Sequence, residues 1–303
     1  MKHLFIVNLA AGGSDRTQAV REEAEKAFSG RDADYEIYVT KCAGDAVTEL
    51  RRRGESGEEY RIYACGGDGT FNECVRGAAG FDNLAVCPFP TGTGNDFCRM
   101  FGDEKDLFKN LPALIDGEIH PIDLIRINDS YSANICSVGF DARVGTNVHK
   151  YSSIPVIGGA GGYVISTIVE AFKGVSSRMH GVTDGYDRDE KHALVCACNG
   201  RYYGGGFNPS LDAMPDDGKL DIYIAKGVGL LRLAANIGKY ASGRSDEAPG
   251  MITHIVSDHV TIEFEEESVI NVDGEALTAK KAEMRLVPRA LNLIVPRGMT
   301  FFG

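Results

Sequence analysis

Four short stretches of this sequence carry residue types that could do chemistry together. The first is Gly66-Gly67-Asp68-Gly69-Thr70, followed by Phe71-Asn72-Glu73. Arg61 to Cys65 ahead of it predict a short buried strand, and Phe71, Cys74, Val75 and Ala78 behind it repeat with a helix period. The glycines therefore fall in a strand-to-helix turn, where they allow positive φ and let a ligand approach bare backbone. A helix start adds unpaired N–H groups and the positive end of a dipole, which favour a phosphate. A carboxylate at Asp68 makes sense there if a divalent cation or a water network lies between it and the phosphates. The plainer alternative is a tight turn with a capping aspartate.

The second stretch is Pro90-Thr91-Gly92-Thr93-Gly94-Asn95-Asp96-Phe97-Cys98-Arg99, again placed after a predicted strand, Leu84 to Cys87, with Asn95 and Asp96 as capping types. Two phosphate-type loops in consecutive strand–helix units can flank one nucleotide at the carboxyl edge of a parallel sheet. The third is Met214-Pro215-Asp216-Asp217-Gly218-Lys219-Leu220-Asp221, an acidic turn able to present carboxylate and carbonyl oxygens to a hard cation. Taken by itself, the stretch reads more simply as an ordinary Asp-Gly hairpin turn. The fourth is Asn271-Val272-Asp273-Gly274-Glu275, where a carboxylate at a strand end can act as general base toward a hydroxyl, or simply make a turn.

The elements that must position these groups change character along the chain. Residues 2–9, 35–40, 61–65 and 84–87 read as strands, alternating with helices that end near Phe28, Arg53 and Ala79. Ser14 or Asp15 is the expected cap of the first helix, and Gly44-Asp45 opens the second. This alternation predicts a parallel sheet covered on both faces. A further helix is expected from Leu107 to Asp116, ending at Gly117. From residue 119 onward the chain is β-rich, which predicts an antiparallel sandwich or barrel. Ile119–Ile127 and Tyr131–Val138 read as a hairpin. Further strands are expected at 191–198, 219–225, 260–264, 269–272, 284–287 and 291–295. Helical inserts are expected near 159–173 and 228–241, the second with apolar Leu230, Leu231, Leu233, Ala234 and Ile237 beside Arg232 and Lys239, an amphipathic face that is more often core-packing than membrane-binding. Arg178 to Glu190 is polar and turn-rich and reads as a mobile loop.

Composition narrows the partners. The 303 residues are 43% hydrophobic and 25% charged, ordinary for a soluble globular protein of one large or two smaller domains. A net charge of −11 argues against a broad nucleic-acid surface and against strong adhesion to anionic lipid, a local basic patch aside. The eight cysteines form no CxxC pair. Cys65, Cys87 and Cys136 sit in apolar strand-like runs, and Cys196-Ala197-Cys198 fits a strand better than a zinc site, so a reducing cytoplasm is expected. The apolar start, Met1 to Gly13, is short and interrupted by Asn8, which favours a first strand over a signal peptide. Ile154 to Phe172 holds four glycines, Ser166 and Glu170, and is not expected to span a membrane.

Taken in order and spacing, the four stretches resemble the diacylglycerol kinase catalytic-domain family, and within it the soluble bacterial lipid kinases, relatives of sphingosine, ceramide and NAD kinases. The resemblance covers essentially the whole chain. The glycine-aspartate turn is shared with NAD kinases and phosphofructokinases, whereas Pro90 to Asp96 separates the lipid kinases from them. It implies an α/β nucleotide domain of NAD-kinase type over residues 1–118, with a last strand at about 290–303 returning to it, and a β-sandwich domain over 119–289 with the lipid and metal site. It further implies ATP between the domains, contacted at Asn8, Thr40, Gly66, Gly67, Asp68, Gly69, Thr70, Phe71, Asn72 and Thr93. Magnesium is implied at Asp217 with the carbonyls of Met214 and Lys219, partly structural, beside a second magnesium that travels with ATP. Asp273 matches the position taken as base for the lipid hydroxyl, Glu275 stands beside it as a rival, and Asp68 and Asp96 match the network organising metal, water and phosphate.

Phosphoryl transfer asks mainly for positioning and charge neutralisation, so this equipment suffices. One departure is Leu9 after Asn8, where the family commonly has proline. Proline there supplies stiffness rather than a ligand. The expected activity is ATP- and magnesium-dependent phosphorylation of a lipid hydroxyl, most simply of diacylglycerol to phosphatidic acid. Alternatives are another acceptor (a sphingoid base, another glycerolipid, a soluble polyol) or a non-catalytic nucleotide-binding regulatory protein. Retention of Asp68, Asp96, Asp217 and Asp273 together favours catalysis. NAD kinase is disfavoured by the second glycine loop. Expected partners are ATP and a lipid met transiently at a membrane surface, with no nucleic acid. The oligomeric state is left open, a homodimer being one option, and the location is cytoplasmic with transient membrane association. The glycine-rich segment from Gly158 to Tyr163 is a candidate border of the lipid pocket.

Overall fold

A computed structural model describes residues 1–8, 16–91, 95–140, 142–144 and 174–302. Two compact units emerge: Met1–Leu124 with Val287–Gly303, and Ile125–Leu286. Strands β5 (Glu118–Ile127) and β13 (Glu275–Val295) each contribute residues to both.

In the first unit, β1 (Lys2–Val7), β2 (Tyr35–Val39), β3 (Tyr60–Gly66) and β4 (Leu84–Pro90) alternate with α1 (Thr17–Phe28), α2 (Asp45–Glu55) and α3 (Asp68–Ala78). The strands run parallel in the order β2-β1-β3-β4, and the end of β13 joins β4 in parallel through Asn292 opposite Ala85. Both faces of β1 and β3 are covered, so Leu4, Phe5, Ile6, Ile62 and Tyr63 are all buried without alternation. Burying each such side chain contributes roughly 1.5–3 kcal/mol. The first helix starts at Thr17, and its flanking Arg16 makes no side-chain cap. The expected caps Ser14 and Asp15 lie outside the described residues. The helix expected over 107–116 is broken: a 3-10 helix (Gly102–Lys109) stops where Asn110 turns extended and caps a new helix, α5 (Leu111–Ile115). Asn110 Oδ1 accepts from Ala113 N at 3.2 Å, with Pro112 in the first turn.

A buried histidine sits on β1. His3 Nδ1 lies 2.7 Å from the Tyr63 hydroxyl, and its ring meets Phe28 edge-on. Burial, reinforced by the positive charge of Arg61, lowers its pKa from 6.5 to about 4. A base whose folded pKa is depressed binds its proton more readily unfolded, so stability falls as pH drops below 6.5 and levels off near 4. The expected loss is about 3 kcal/mol. Melting wild type and His3→Leu across this range checks it: the variant should show a shallower decline, and parallel curves would refute the assignment.

In the second unit, β6 (Ser130–Ser132) pairs antiparallel with the end of β5, and β7 (Ile135–Gly139), β8 (Ser177–Thr183), β9 (Tyr186–Cys198), β10 (Leu220–Lys226), β11 (Ile252–Ser257) and β12 (His259–Val272) pair antiparallel with one another and with β13. The path β11-β10-β9-β7-β12-β13 buries both faces. Val195 and Ala197 of β9 enter one apolar cluster with Ile222, Ile262 and Met284, while Leu194, Cys196 and Cys198 enter another with Tyr223, Leu233 and Tyr240. Cys65, Cys87, Cys136, Cys196 and Cys198 are buried free thiols, and Cys42 is exposed.

Three sequence expectations are corrected here. Arg178 to Glu190 is not a loop but most of the β8–β9 hairpin, turned at Asp184-Gly185 with Gly185 at φ +69°. Its polar residues face solvent and pair across the strands, Arg178 with Asp189 at 2.8 Å and His180 with Asp187 at 2.7 Å. The hairpin expected over 119–138 stops at Ser132, because β7 leaves β5 to pair with β9 and β12. The strands expected at 260–264 and 269–272 are one strand, β12, interrupted by a register shift between Glu263 and Ser268. The 159–173 insert and the Gly158–Tyr163 segment lie outside the described residues.

Candidate active site

In the first unit, Val7 pairs with both Val39 and Cys65, and Cys65 with Phe89, so β1 to β4 end level. Asn8 follows β1, Thr40 follows β2, Gly66 closes β3 and Pro90 closes β4. In the order 2-1-3-4 the chain reverses its winding between β1 and β3, the crevice where open α/β sheets bind ligands. Thr40 is fixed there by its own N–H, which donates to Val7 O at 2.9 Å. Thr93 lies outside the described residues.

The glycine turn works differently from its sequence expectation. None of Gly66, Gly67 and Gly69 has positive φ; Gly67 sits at φ −102°, ψ −161° and leads into α3. Gly66 is required by space, since a Cβ there would stand 2.2 Å from Thr70 Oγ1, itself buried. Gly69 is bare for another reason: a Cβ would meet nothing within 4 Å, so the first turn of α3 presents uncovered backbone. Thr70, Phe71 and Asn72 face inward and are buried, giving Phe71 and Asn72 a packing position on the turn's inner side.

Asp68 and Asp96 are brought together. Asp68 Oδ1 accepts from the backbone N–H of Asp96 at 2.7 Å. Asp96 opens α4 (Asp96–Arg99), which Asn95 caps by accepting from Cys98 N at 3.0 Å, and Arg99 Nε stands 3.0 Å from Asp96 Oδ1. Behind them Phe71 packs on Phe97 with ring centroids 4.7 Å apart. Glu73 ties in a third loop, its Oε1 accepting from Gly44 N at 2.9 Å. Two carboxylates are thus held at the carboxyl edge of the sheet, Asp68 by the backbone N–H of Asp96 and Asp96 by the Arg99 guanidinium, next to bare helix-start backbone. That arrangement can take a phosphate chain with its cation.

In the second unit, Asp273-Gly274 forms the two-residue turn between β12 and β13, with φ +48° and +91° and Val272 opposite Glu275. The Asp273 carboxylate is partly buried and well occupied. Oδ1 accepts from Ser132 Oγ at 2.7 Å and Ile135 N at 2.8 Å, and Oδ2 accepts from Ala133 N at 3.0 Å. Burial raises its pKa above the usual 3.8, against those hydrogen bonds, which pull it down. The cradle was missed in the sequence. Ser132 to Ile135 is held in turn by Asn199, whose Nδ2 donates to Ala133 O at 2.8 Å, and by Gly200, whose N–H donates to Asn134 O at 2.9 Å. A Cβ at Gly200 would overlap Asn134 Oδ1. Asn199-Gly200 directly after an apolar strand was the available signal. Glu275 starts β13, half-buried, two residues beyond.

Asp217 and Lys219 lie on the exposed turn before β10, with Met214 half-buried ahead of them. Gly218 takes φ +74°, and Asp217 Oδ1 accepts from Lys219 N at 3.0 Å. A carboxylate with the main-chain carbonyls of Met214 and Lys219 is an all-oxygen donor set, which fits a hard divalent cation.

The model described as the diacylglycerol kinase catalytic domain matches residues 2–127, and that described as the YegS C-terminal NAD kinase beta sandwich-like domain matches residues 134–295. The chain belongs to the diacylglycerol kinase catalytic-domain family. Its curated relatives in this lipid kinase family include a candidate lipid kinase of Staphylococcus epidermidis, 25% identical over 90% of this chain and 89% of that one. A YegS-like lipid kinase candidate of Klebsiella pneumoniae is 29% identical over 95% of each. Among solved structures, a candidate diacylglycerol kinase from Bacillus anthracis str. Sterne superposes with a TM-score of 0.75 at 26% identity, covering 99% of this chain and 98% of that one. Yeast NADH kinase in complex with NADH reaches a TM-score of 0.52 at 11% identity over 98% of this chain and 83% of its own, a likeness of fold alone. Lipid kinases are phosphotransferases that use ATP, and among the described residues no helix is long and apolar enough to cross a membrane.

Proposed function

We propose that this family member transfers the γ-phosphate of ATP to a lipid hydroxyl with magnesium, diacylglycerol being the simplest acceptor. The observation that carries the reading is the 2.7 Å hydrogen bond from Asp96 N to Asp68, which joins both phosphate-type loops at the carboxyl edge of the sheet, on the β3 side of its switch point. Magnesium supplies charge neutralisation on the phosphates when bound. Asp68 and Asp96 hold and orient its site, and the first turn of α3 offers amides to phosphate oxygens. Asp217, with the carbonyls of Met214 and Lys219, would hold a second, partly structural ion. The acceptor hydroxyl forms the new P–O bond as the bond to the β-phosphate oxygen breaks, and Asp273 receives the hydroxyl proton. A carboxyl whose pKa is raised by burial is the better base for that step.

The deciding experiment offers labelled ATP with detergent-dispersed diacylglycerol, a sphingoid base, a soluble polyol and NAD. Label in the diacylglycerol product alone supports the reading, and label in another acceptor or in none overturns it.

The structural ion has its own test. A ligand that binds only the native state raises its melting temperature. A chelator should therefore lower the wild-type midpoint and leave Asp217→Ala unmoved. A wild-type midpoint that holds after the metal is shown to be gone would end the structural role.

A further inference from the structure

The helix α6 (Leu230–Tyr240) does not pack as its amphipathic pattern predicts. Leu233 and Tyr240 are buried, in one apolar cluster with Tyr223, and Ile237 packs against them. Those three suffice to seat the helix, and the Tyr240 hydroxyl lies 3.1 Å from that of Tyr203. Leu230 and Leu231, expected in the core, are instead 51% and 87% exposed. The outward positions 231, 234, 235 and 238 read Leu, Ala, Ala, Gly, one face of the helix with no polar side chain on it. Among the described residues nothing crowds the helix at its glycines, since a Cβ built at Gly229 or Gly238 would meet nothing within 4 Å. A surface helix ordinarily turns charge outward, and this one turns leucine outward.

Charge says what the face meets. From Lys226 to Arg244 the chain carries Lys226, Arg232, Lys239 and Arg244 and no carboxylate, within a protein of net charge −11. Lys226 and Arg232 are both exposed, the first shortly before the leucine pair in sequence and the second directly after it. Lys239 donates to Glu247 O at 2.8 Å and Arg244 stands 3.4 Å from Glu247, so the basic character concentrates at the Leu230–Arg232 end. An apolar wedge rimmed by cations, on a chain that is acidic elsewhere, matches the boundary of an anionic bilayer.

We propose that Leu230 and Leu231 insert into an anionic membrane surface, with Arg232 and Lys226 at the headgroups, and that α6 brings this protein to its lipid substrate. The inference rests on the proposed lipid kinase function. Leu231, 87% exposed, adds little to the fold and Leu230, 51% exposed, adds less than a core leucine, whereas a reduced apolar payload weakens partition into the bilayer about tenfold or more.

The test measures co-sedimentation of the full chain with phosphatidylcholine vesicles, with and without phosphatidylglycerol, alongside melting curves and sedimentation velocity. Leu230→Gln with Leu231→Gln should bind the mixed vesicles at least about tenfold more weakly with an unchanged midpoint. Arg232→Gln should weaken binding to the mixed vesicles and remove part of its salt sensitivity. Wild-type binding by the double variant overturns the proposal. So does a lowered midpoint, which would mean that the face is covered within the fold, or a wild-type dimer that the double variant loses while vesicle binding stays. Binding needs no turnover. Vesicle binding through α6 without phosphorylation of any lipid would defeat the kinase reading and leave the docking face standing.

Discussion

Asp68→Asn should lower phosphoryl transfer about 10²- to 10³-fold while leaving the melting temperature close to wild type, the range seen when one preorganised electrostatic group is removed. The reasoning starts from the hydrogen bond between Asp96 N and Asp68 Oδ1. An asparagine keeps an oxygen that can accept from that N–H, so the two loops stay joined and only the charge is lost. Asp68→Ala removes both. It leaves the N–H of the buried Asp96 without its acceptor, which costs about 1–3 kcal/mol, so this variant should melt lower as well as being inactive. The pair separates charge from bracing. If Asp68 only braced the turn, Asn would be active and Ala impaired in proportion to its stability. Asn with wild-type turnover would remove the Asp68 charge from the mechanism.

The α/β half was legible because its central strands β1, β3 and β4 are covered on both faces. Continuous apolar runs such as Leu4–Val7 and Ile62–Cys65, spaced by helix periods, leave little else to form. What the pattern could not supply was strand order, which depends on side-chain packing between helices and sheet rather than on any one segment. The β-rich half was legible as a class but less so in detail. The outward face of Arg178–Glu190 is so charged that its alternation was hidden, and Met179, one of the few inward residues in the run, carried the signal alone. Short β7 carried no mark of its partners, because Ile135–Gly139 is buried throughout and reads the same beside β5 as beside β9. The glycines at 66, 67 and 69 were recognisable as a site by type, yet their geometry was not. Gly66 is small to admit Thr70, a contact that no spacing rule contains. The Asp273 cradle joins residues 141 and 138 positions apart in sequence, at Ser132 and Ile135, and only the assembled sheet brings them together.

Asp273→Asn should lower turnover about 10²- to 10⁴-fold if Asp273 takes the hydroxyl proton, the range for loss of a general base. The cradle makes this a test of two roles at once. Oδ2 accepts from Ala133 N at 3.0 Å, and an amide nitrogen in that place cannot accept. The variant therefore leaves one backbone donor unpaired, a cost of about 1–3 kcal/mol that relief of the buried charge partly offsets. Ser132→Ala is the control. It removes the 2.7 Å hydrogen bond to Oδ1 and keeps the carboxylate, so a purely structural Asp273 predicts comparable losses in both variants when both are assayed well below their melting points. A base predicts a large loss in Asp273→Asn alone. The pH profile adds a second readout. Because the Asp273 pKa lies above 3.8, wild-type activity should fall as pH drops through that raised value and the carboxyl becomes protonated. Whatever activity Asp273→Asn retains should lack that acid limb. Glu275→Gln, made in parallel, tests the neighbouring carboxylate at the start of β13. An inactive Glu275→Gln beside an active Asp273→Asn would transfer the base to Glu275 and leave Asp273 as the residue that turns β12 into β13.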